Sequence, residues 1–213
     1  HLNLSGNGDY MAFEGYAGLP INREDLLKKI SANLSEKRFL HVQHVAATAK
    51  KLAEHWGYLA VEKAELAGLL HDYAKEETDE TFKDLIHKYK LDPALLKWNN
   101  NIWHGVVGIC KIQEDFGITD PELLRAIEIH TIGSCQMGLL DKILYVADYI
   151  EDSRSFEGVE TARALAYEDL DAAVAYETLH TVLFLAQKQV QIYPQTIITY
   201  NAYVDKLRTK NRS

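Results

Sequence analysis

Histidine and aspartate recur in this chain where their side chains are costly unless they bind something. His71-Asp72 closes the apolar run Leu66-Ala67-Gly68-Leu69-Leu70, and Tyr73-Ala74-Lys75 follows. A carboxylate there is expensive to bury unless it is paired or bound to a cation. Asp148 repeats the problem within Ile143-Leu144-Tyr145-Val146-Ala147-Asp148-Tyr149-Ile150. His41 lies on another apolar segment, and Trp103-His104 and His130-Thr131 fall between. Alone, each histidine could be a core side chain bonded to backbone, and Asp148 could cap a helix or pair with a basic residue. Together, His41, His71, Asp72 and Asp148 offer the nitrogen and oxygen donors that suit Zn, Fe, Mn and similar ions.

Two imidazoles and two carboxylates leave coordination positions open for water and a phosphate oxygen. Asp72 has two oxygens and could bridge two metals. His104 and His130 could complete a second metal site, hold phosphate oxygens when protonated, or give a proton to a leaving group. Lys75 is three residues after Asp72; on a continuing helix it lies one turn away, where an ammonium offsets phosphate charge. Arg154 has the planar fork that suits bidentate phosphate binding. A solvated lysine and a surface-loop arginine are the plain alternatives. His44, at i+3 from His41, fits surface or core equally. No GxxxxGK[ST] loop occurs, which argues against a P-loop mechanism.

Ligands spread from residue 41 to residue 148 cannot meet within one helix, so the fold must converge several segments. From Asn22 onward the apolar spacing predicts helices with short breaks. They fall at 23–34, 36–56 (Ser35 capping, Gly57 ending), 61–73, from Thr78-Asp79, a short one from Asp92-Pro93, 102–116, 121–130, 139–150, 159–166, 170–190 and 196–207. Thr196 could cap the last after the break at Pro194. β-Branched and aromatic residues follow helical spacing rather than alternation. The expected architecture is therefore all-α, a single helical domain over residues 21–207. Residues 1–20, rich in Gly, Asn and Ser, read as a flexible leader with Met11 as a candidate internal start, and 208–213 as a tail. The apolar helix at 170–190 could serve a homodimer or the core.

The chain has 213 residues, enough for one sizeable core. A net charge of −8 and a pI near 5.6 argue against nucleic-acid or anionic-membrane binding. Cys110 and Cys135 make no disulfide framework, and no run approaches a membrane span. These features point to the cytoplasm.

The ordered set H…HD…H…H…D has a further meaning. It is carried by Arg38-Phe39-Leu40-His41, Leu70-His71-Asp72-Tyr73-Ala74-Lys75, Trp103-His104-Gly105, His130-Thr131-Ile132-Gly133, the stretch from Asp141 to Glu151, and Tyr193-Pro194-Gln195-Thr196. With these motifs the chain resembles the HD-domain phosphohydrolase superfamily, and within it the bacterial symmetrical bis(5′-nucleosyl)-tetraphosphatases. The resemblance implies a helical HD fold and a metal-dependent hydrolase that cleaves diadenosine tetraphosphate to two ADP. It implies an iron-type centre on His41, His71, Asp72 and Asp148, with His104 and His130 near a second metal or the phosphates. Mn, Co, Ni or Zn would also suit the donors. The implied catalytic set is Asp72, Lys75, His104 and His130. The implied nucleotide contacts are His41, Asp72, Tyr73, Ala74, Lys75, His104, His130, Thr131, Asp148 and Arg154, with the turn Gln191, Ile192, Tyr193, Pro194, Gln195 and Thr196 beside base and ribose. Asp152-Ser153-Arg154 departs from the Pro-Gly-Arg of many members but keeps the arginine. Another nucleotide phosphohydrolase or phosphodiesterase, a non-catalytic nucleotide sensor, and a purely structural helical protein are the competing readings.

Overall fold

Side-chain caps start many of the helices. Asn22, Ser35, Thr78, Asp120 and Asp169 each accept a hydrogen bond from a backbone N–H of the first turn that follows. The computed structural model describes residues 15–211. Its α-helices are α1 (Arg23–Ser31), α2 (Glu36–Trp56), α3 (Val61–Leu70), α4 (Asp79–Lys88), α5 (Asn100–Val106), α6 (Gly108–Phe116), α7 (Pro121–Glu128), α8 (Leu139–Ile150), α9 (Val159–Glu168), α10 (Leu170–Gln187), α11 (Pro194–Tyr203) and α12 (Asp205–Asn211), with a 3₁₀ turn at Pro93–Lys97. No strand occurs among the described residues, so the all-α expectation holds.

Helix α8 is the axis of the domain. It buries Leu140, Ile143, Leu144, Tyr145, Val146, Ala147 and Ile150, and α2, α3, α7, α9 and α10 all pack on it. Its wide apolar face belongs inside, while Lys142, Asp148 and Tyr149 share a less buried side. A second core lies under α4–α6, where Phe82, Ile86, Trp103 and Val107 close on Ala74. The Trp103 indole N–H donates to the Leu95 carbonyl at 2.7 Å.

Several boundaries differ from the sequence-based expectation, for physical reasons. Helix α3 ends at Leu70, not residue 73, and residues 71–76 form successive turns. The Gly68 carbonyl, which the Asp72 N–H would need, accepts from His71 Nδ1 at 2.7 Å instead. Lys75 is therefore not on a continuing helix; its N–H bonds to the Asp72 carbonyl at 2.9 Å. The expected helix 102–116 starts at Asn100 and breaks at Val107, next to Gly108, whose small size lets it lie close to Ala74. Thr196 is not a cap, since α11 begins at Pro194, whose fixed φ suits the first helical position. Within the segment expected as a flexible leader, Tyr16 is buried in the main core, and its hydroxyl donates to Glu65. Helix α12 runs on to Asn211, past the expected start of the tail. Met11 lies outside the described residues. The N-terminal part of α10 is committed to the core, whereas Leu183 and Phe184 near its end are exposed.

Helices α2 and α3 cross in backbone contact, and this crossing sets the His41 and His71 rings with centroids 5.3 Å apart. A Cβ at Gly68 would fall 2.5 Å from the Ala46 Cα. Gly68→Ala should cost about 3 kcal/mol in overpacking. Alanine's helix propensity returns about 1 kcal/mol. A net loss near 2 kcal/mol should lower the urea midpoint; an unchanged midpoint would show that the crossing is not tight.

Candidate metal centre

The ends of α3, α5, α7 and α8 and the first turns of α2 converge on Asp72. Its Oδ1 lies 3.5 Å from His71 Nε2, 3.4 Å from His104 Nε2 and 3.5 Å from His130 Nε2. Its Oδ2 lies 3.5 Å from His41 Nε2 and 2.8 Å from an Arg38 guanidinium nitrogen. Asp148 closes the other side, with Oδ1 at 3.0 Å from His41 Nε2 and 3.4 Å from His71 Nε2. His71, Asp72, His104 and His130 are all buried.

Each imidazole is oriented from behind. His71, His104 and His130 present Nδ1 to the carbonyls of Gly68, Asn100 and Ile127 at 2.7, 2.7 and 2.6 Å, and His41 presents Nδ1 to Glu151 Oε2 at 2.8 Å. These oxygens only accept, so Nδ1 carries a hydrogen and Nε2 faces the centre, where it can ligate once it holds no proton. The outcome is unusual for a protein interior: the buried Nε2 atoms of His41, His71 and His130 have no hydrogen-bond partner. Two ligand groups meet metal-site geometry, His41–His71–Asp148 and His71–Asp72–His130, each with its donor atoms within 4.8 Å of one another. Orphaned nitrogens facing two carboxylates fit a transition-metal centre.

Electrostatics agree with the geometry. Burial alone would raise Asp72 and Asp148, yet the surrounding imidazoles, His71 foremost, hold both well below the usual carboxylate range. Burial opposes charge on His71, but Asp72 and Asp148 push it up to about 9. His104 goes the other way, down to about 3, because burial and His130 disfavour its charge.

The HD domain family matches residues 38–153. The symmetrical bis(5′-nucleosyl)-tetraphosphatase of Bacillus subtilis (strain 168) is 41% identical over 181 residues, 85% of this chain and 97% of that protein.

The chain belongs to the HD domain family.

Within that family its kin are the symmetrical bis(5′-nucleosyl)-tetraphosphatases. The Staphylococcus aureus (strain NCTC 8325 / PS 47) protein of that name is 38% identical over 185 residues, 86% of this chain and 95% of its own length. Among solved structures, the predicted HD superfamily hydrolase involved in NAD metabolism from Clostridium acetobutylicum superposes with a TM-score of 0.82 at 34% identity, covering 89% of this chain and all of that one.

The HD fold brings together all six residues read from sequence as ligands or near-ligands: His41, His71, Asp72, His104, His130 and Asp148. Lys75 is half-buried, and burial lowers its pKa although the nearby Asp72 charge opposes the shift. Arg154 donates to the Asp148 carbonyl at 3.1 Å and to its Oδ1 at 3.3 Å. Two of the expected nucleotide contacts turn away. The Tyr73 hydroxyl donates to Asp115 at 2.6 Å and its ring packs edge-on to Phe116, while Ala74 is sealed in the second core. Thr131 lines a cleft of about 470 Å³ together with Gln191, Tyr193 and Thr196. Ile192, Pro194 and Gln195 are not part of its wall, and Gln195 instead donates to the Gly133 carbonyl at 3.3 Å.

Sequence reasoning missed Arg38 and Glu151, and the cleft residues Trp98 and Phe184. Arg38 had a signal, being at i−3 from His41. Glu151 had one too, as a second acid at i+3 from Asp148. Nothing local marks Trp98, whose ring meets Tyr193 edge-on at 5.0 Å. The role of Gly105 was equally hidden: a Cβ there would sit 3.3 Å from the His130 ring.

The charge states set a pH dependence. Below about 9, His71 holds a proton that a metal must displace, whereas His104 holds none above about 3. Metal binding should therefore release a proton at neutral pH and tighten as pH rises, by up to roughly tenfold per unit. Chelator competition at pH 6, 7 and 8 measures this; a flat affinity would contradict the assignment of His71 as a ligand.

Proposed function

We propose that this chain hydrolyses diadenosine tetraphosphate symmetrically to two ADP, at a centre held by His41, His71, Asp72 and Asp148, with His104 and His130 completing a second position. The observation that carries the reading is the set of buried imidazoles whose Nε2 atoms converge on Asp72 without partners. The Bacillus subtilis and Staphylococcus aureus relatives support the substrate. A transition metal held by these residues would supply Lewis acidity and a water activated near neutral pH. Iron is the proposed native ion, from the family resemblance; the donors also suit Mn, Co, Ni and Zn.

The chain's own residues do the rest. Water attacks one inner phosphorus, the central P–O–P bond breaks, and ADP leaves while ADP also forms from the attacked half. Lys75 is half-buried beside Asp72, so its ammonium acts in a low-dielectric setting and offsets charge as it moves to the leaving phosphate. Arg154, part-exposed on the rim, can turn its free N–H groups to the polyphosphate. His104 stays neutral near pH 7, which suits it to hold a ligand rather than to protonate a leaving group. The cleft beside Thr131 is wide enough for a nucleoside, and Trp98 and Tyr193 offer it aromatic walls. Thr131 Oγ1 is buried without a partner there and can pair with ribose or base. Cys110 and Cys135 are both free, in keeping with a reducing cytoplasm, and no helix among the described residues is long and apolar enough to cross a membrane.

Early-time products from diadenosine tetraphosphate should be ADP alone. AMP and ATP in equal amounts would mean asymmetric attack and defeat the reading. Lys75→Ala and Arg154→Ala should each lose a charge-assisted contact of about 1.5–3 kcal/mol, or roughly ten- to a hundred-fold in kcat/KM. The Lys75 loss should fall mostly on kcat and the Arg154 loss mostly on KM, with metal content measured on the same samples. Wild-type kcat/KM in both would place these groups away from the substrate.

A further inference from the structure

Three of the four imidazoles are backed by peptide carbonyls three or four residues upstream: Gly68 for His71, Asn100 for His104 and Ile127 for His130. These contacts are local and neutral. His41 differs. Its Nδ1 lies 2.8 Å from Glu151 Oε2, across 110 residues of chain. Glu151 is 1% exposed, so its charge needs several donors to be tolerated. The Ser153 N–H donates to Oε1 at 2.6 Å and the Ser153 hydroxyl to Oε2 at 2.7 Å. His44 Nδ1 lies 3.6 Å from Oε1. Arg163 then pins the same stretch of backbone, donating to the Ile150, Glu151 and Arg154 carbonyls at 2.9 Å each.

We propose that Glu151 is a positioning residue of the metal centre: its carboxylate holds His41 in the ligating tautomer and ties this ligand to the loop that carries Arg154. The inference rests on reading the histidine–aspartate cluster as a metal site. A carboxylate is a stronger acceptor than a carbonyl, and a carboxylate-backed imidazole is a more basic ligand. The centre is thus asymmetric. The group His41–His71–Asp148 contains the strengthened donor, and the group His71–Asp72–His130 does not. The first ion should bind on the His41 side. The link also couples the metal ligand to the phosphate-facing loop, since Glu151 lies between Asp148 and Arg154 in sequence and Ser153 bonds to both of its oxygens.

The test uses the full chain stripped of metal and titrated with Mn²⁺ alone, free Mn²⁺ being read by electron paramagnetic resonance. Wild type is compared with Glu151→Gln, which keeps shape and an acceptor but loses the charge, and with Glu151→Ala, which loses both. Urea midpoints are taken on the same samples. The tighter Mn²⁺ site should weaken about tenfold in Glu151→Gln and up to about a hundredfold in Glu151→Ala. Ser153→Ala, which leaves the carboxylate on His41, should stay within a few-fold of wild type. If Glu151→Ala does not fold, the isosteric Gln variant decides. Equal Mn²⁺ affinity in wild type and Glu151→Gln overturns the proposal. A wild-type protein that takes up no Mn²⁺ would instead defeat the metal reading beneath it, so the two failures are told apart.

Discussion

One buried carboxylate, that of Asp72, faces four imidazoles at once, and the domain is arranged around it. Without a positive partner it could not remain charged in the interior. Arg38 supplies part of the compensation, with a 2.8 Å contact from the rim. The imidazoles supply the rest, by proton or by metal. Because the four Nδ1 atoms are committed elsewhere, the Nε2 atoms cannot turn away to find other acceptors. The site is therefore preorganised for a cation, and the cost of gathering these groups is borne by the packing of α2, α3, α7 and α8 around them.

The same hydrogen bonds that orient the ligands also shape the backbone. His71 takes the Gly68 carbonyl, and α3 stops. His130 takes the Ile127 carbonyl at 2.6 Å, and α7 has already stopped at Glu128. Helix ends thus bring the histidines and aspartates to the centre, and the turns that follow carry Lys75 and, at the wall of the cleft, Thr131. Small residues complete the arrangement. Gly68 lets α3 lie on α2, and Gly105 leaves room for the His130 ring.

Much of this was legible in the sequence, in proportion to how local its cause is. Caps at Ser35, Thr78 and Asp120, and the apolar helix at Leu139–Ile150, follow from side chains within one turn of the boundary. The histidine–aspartate cluster was legible because a carboxylate at Asp72, set beside the apolar run Leu66–Leu70, needs a partner to be buried. The end of α3 was not, because it depends on where the His71 ring points, which periodicity does not reveal. Motif proximity puts Tyr73 and Ala74 beside the nucleotide, whereas the turn after Leu70 carries their side chains into the two cores. Glu151 and Trp98 act on partners far along the chain, and only the packed fold brings them there.

Asp72 as the shared ligand of a resident metal is tested by metal analysis of the purified chain beside Asp72→Ala, with helical content followed by circular dichroism. Wild type should carry stoichiometric transition metal, and the variant should lose most of it and nearly all hydrolysis while staying helical. Full metal and full turnover in Asp72→Ala would contradict the account.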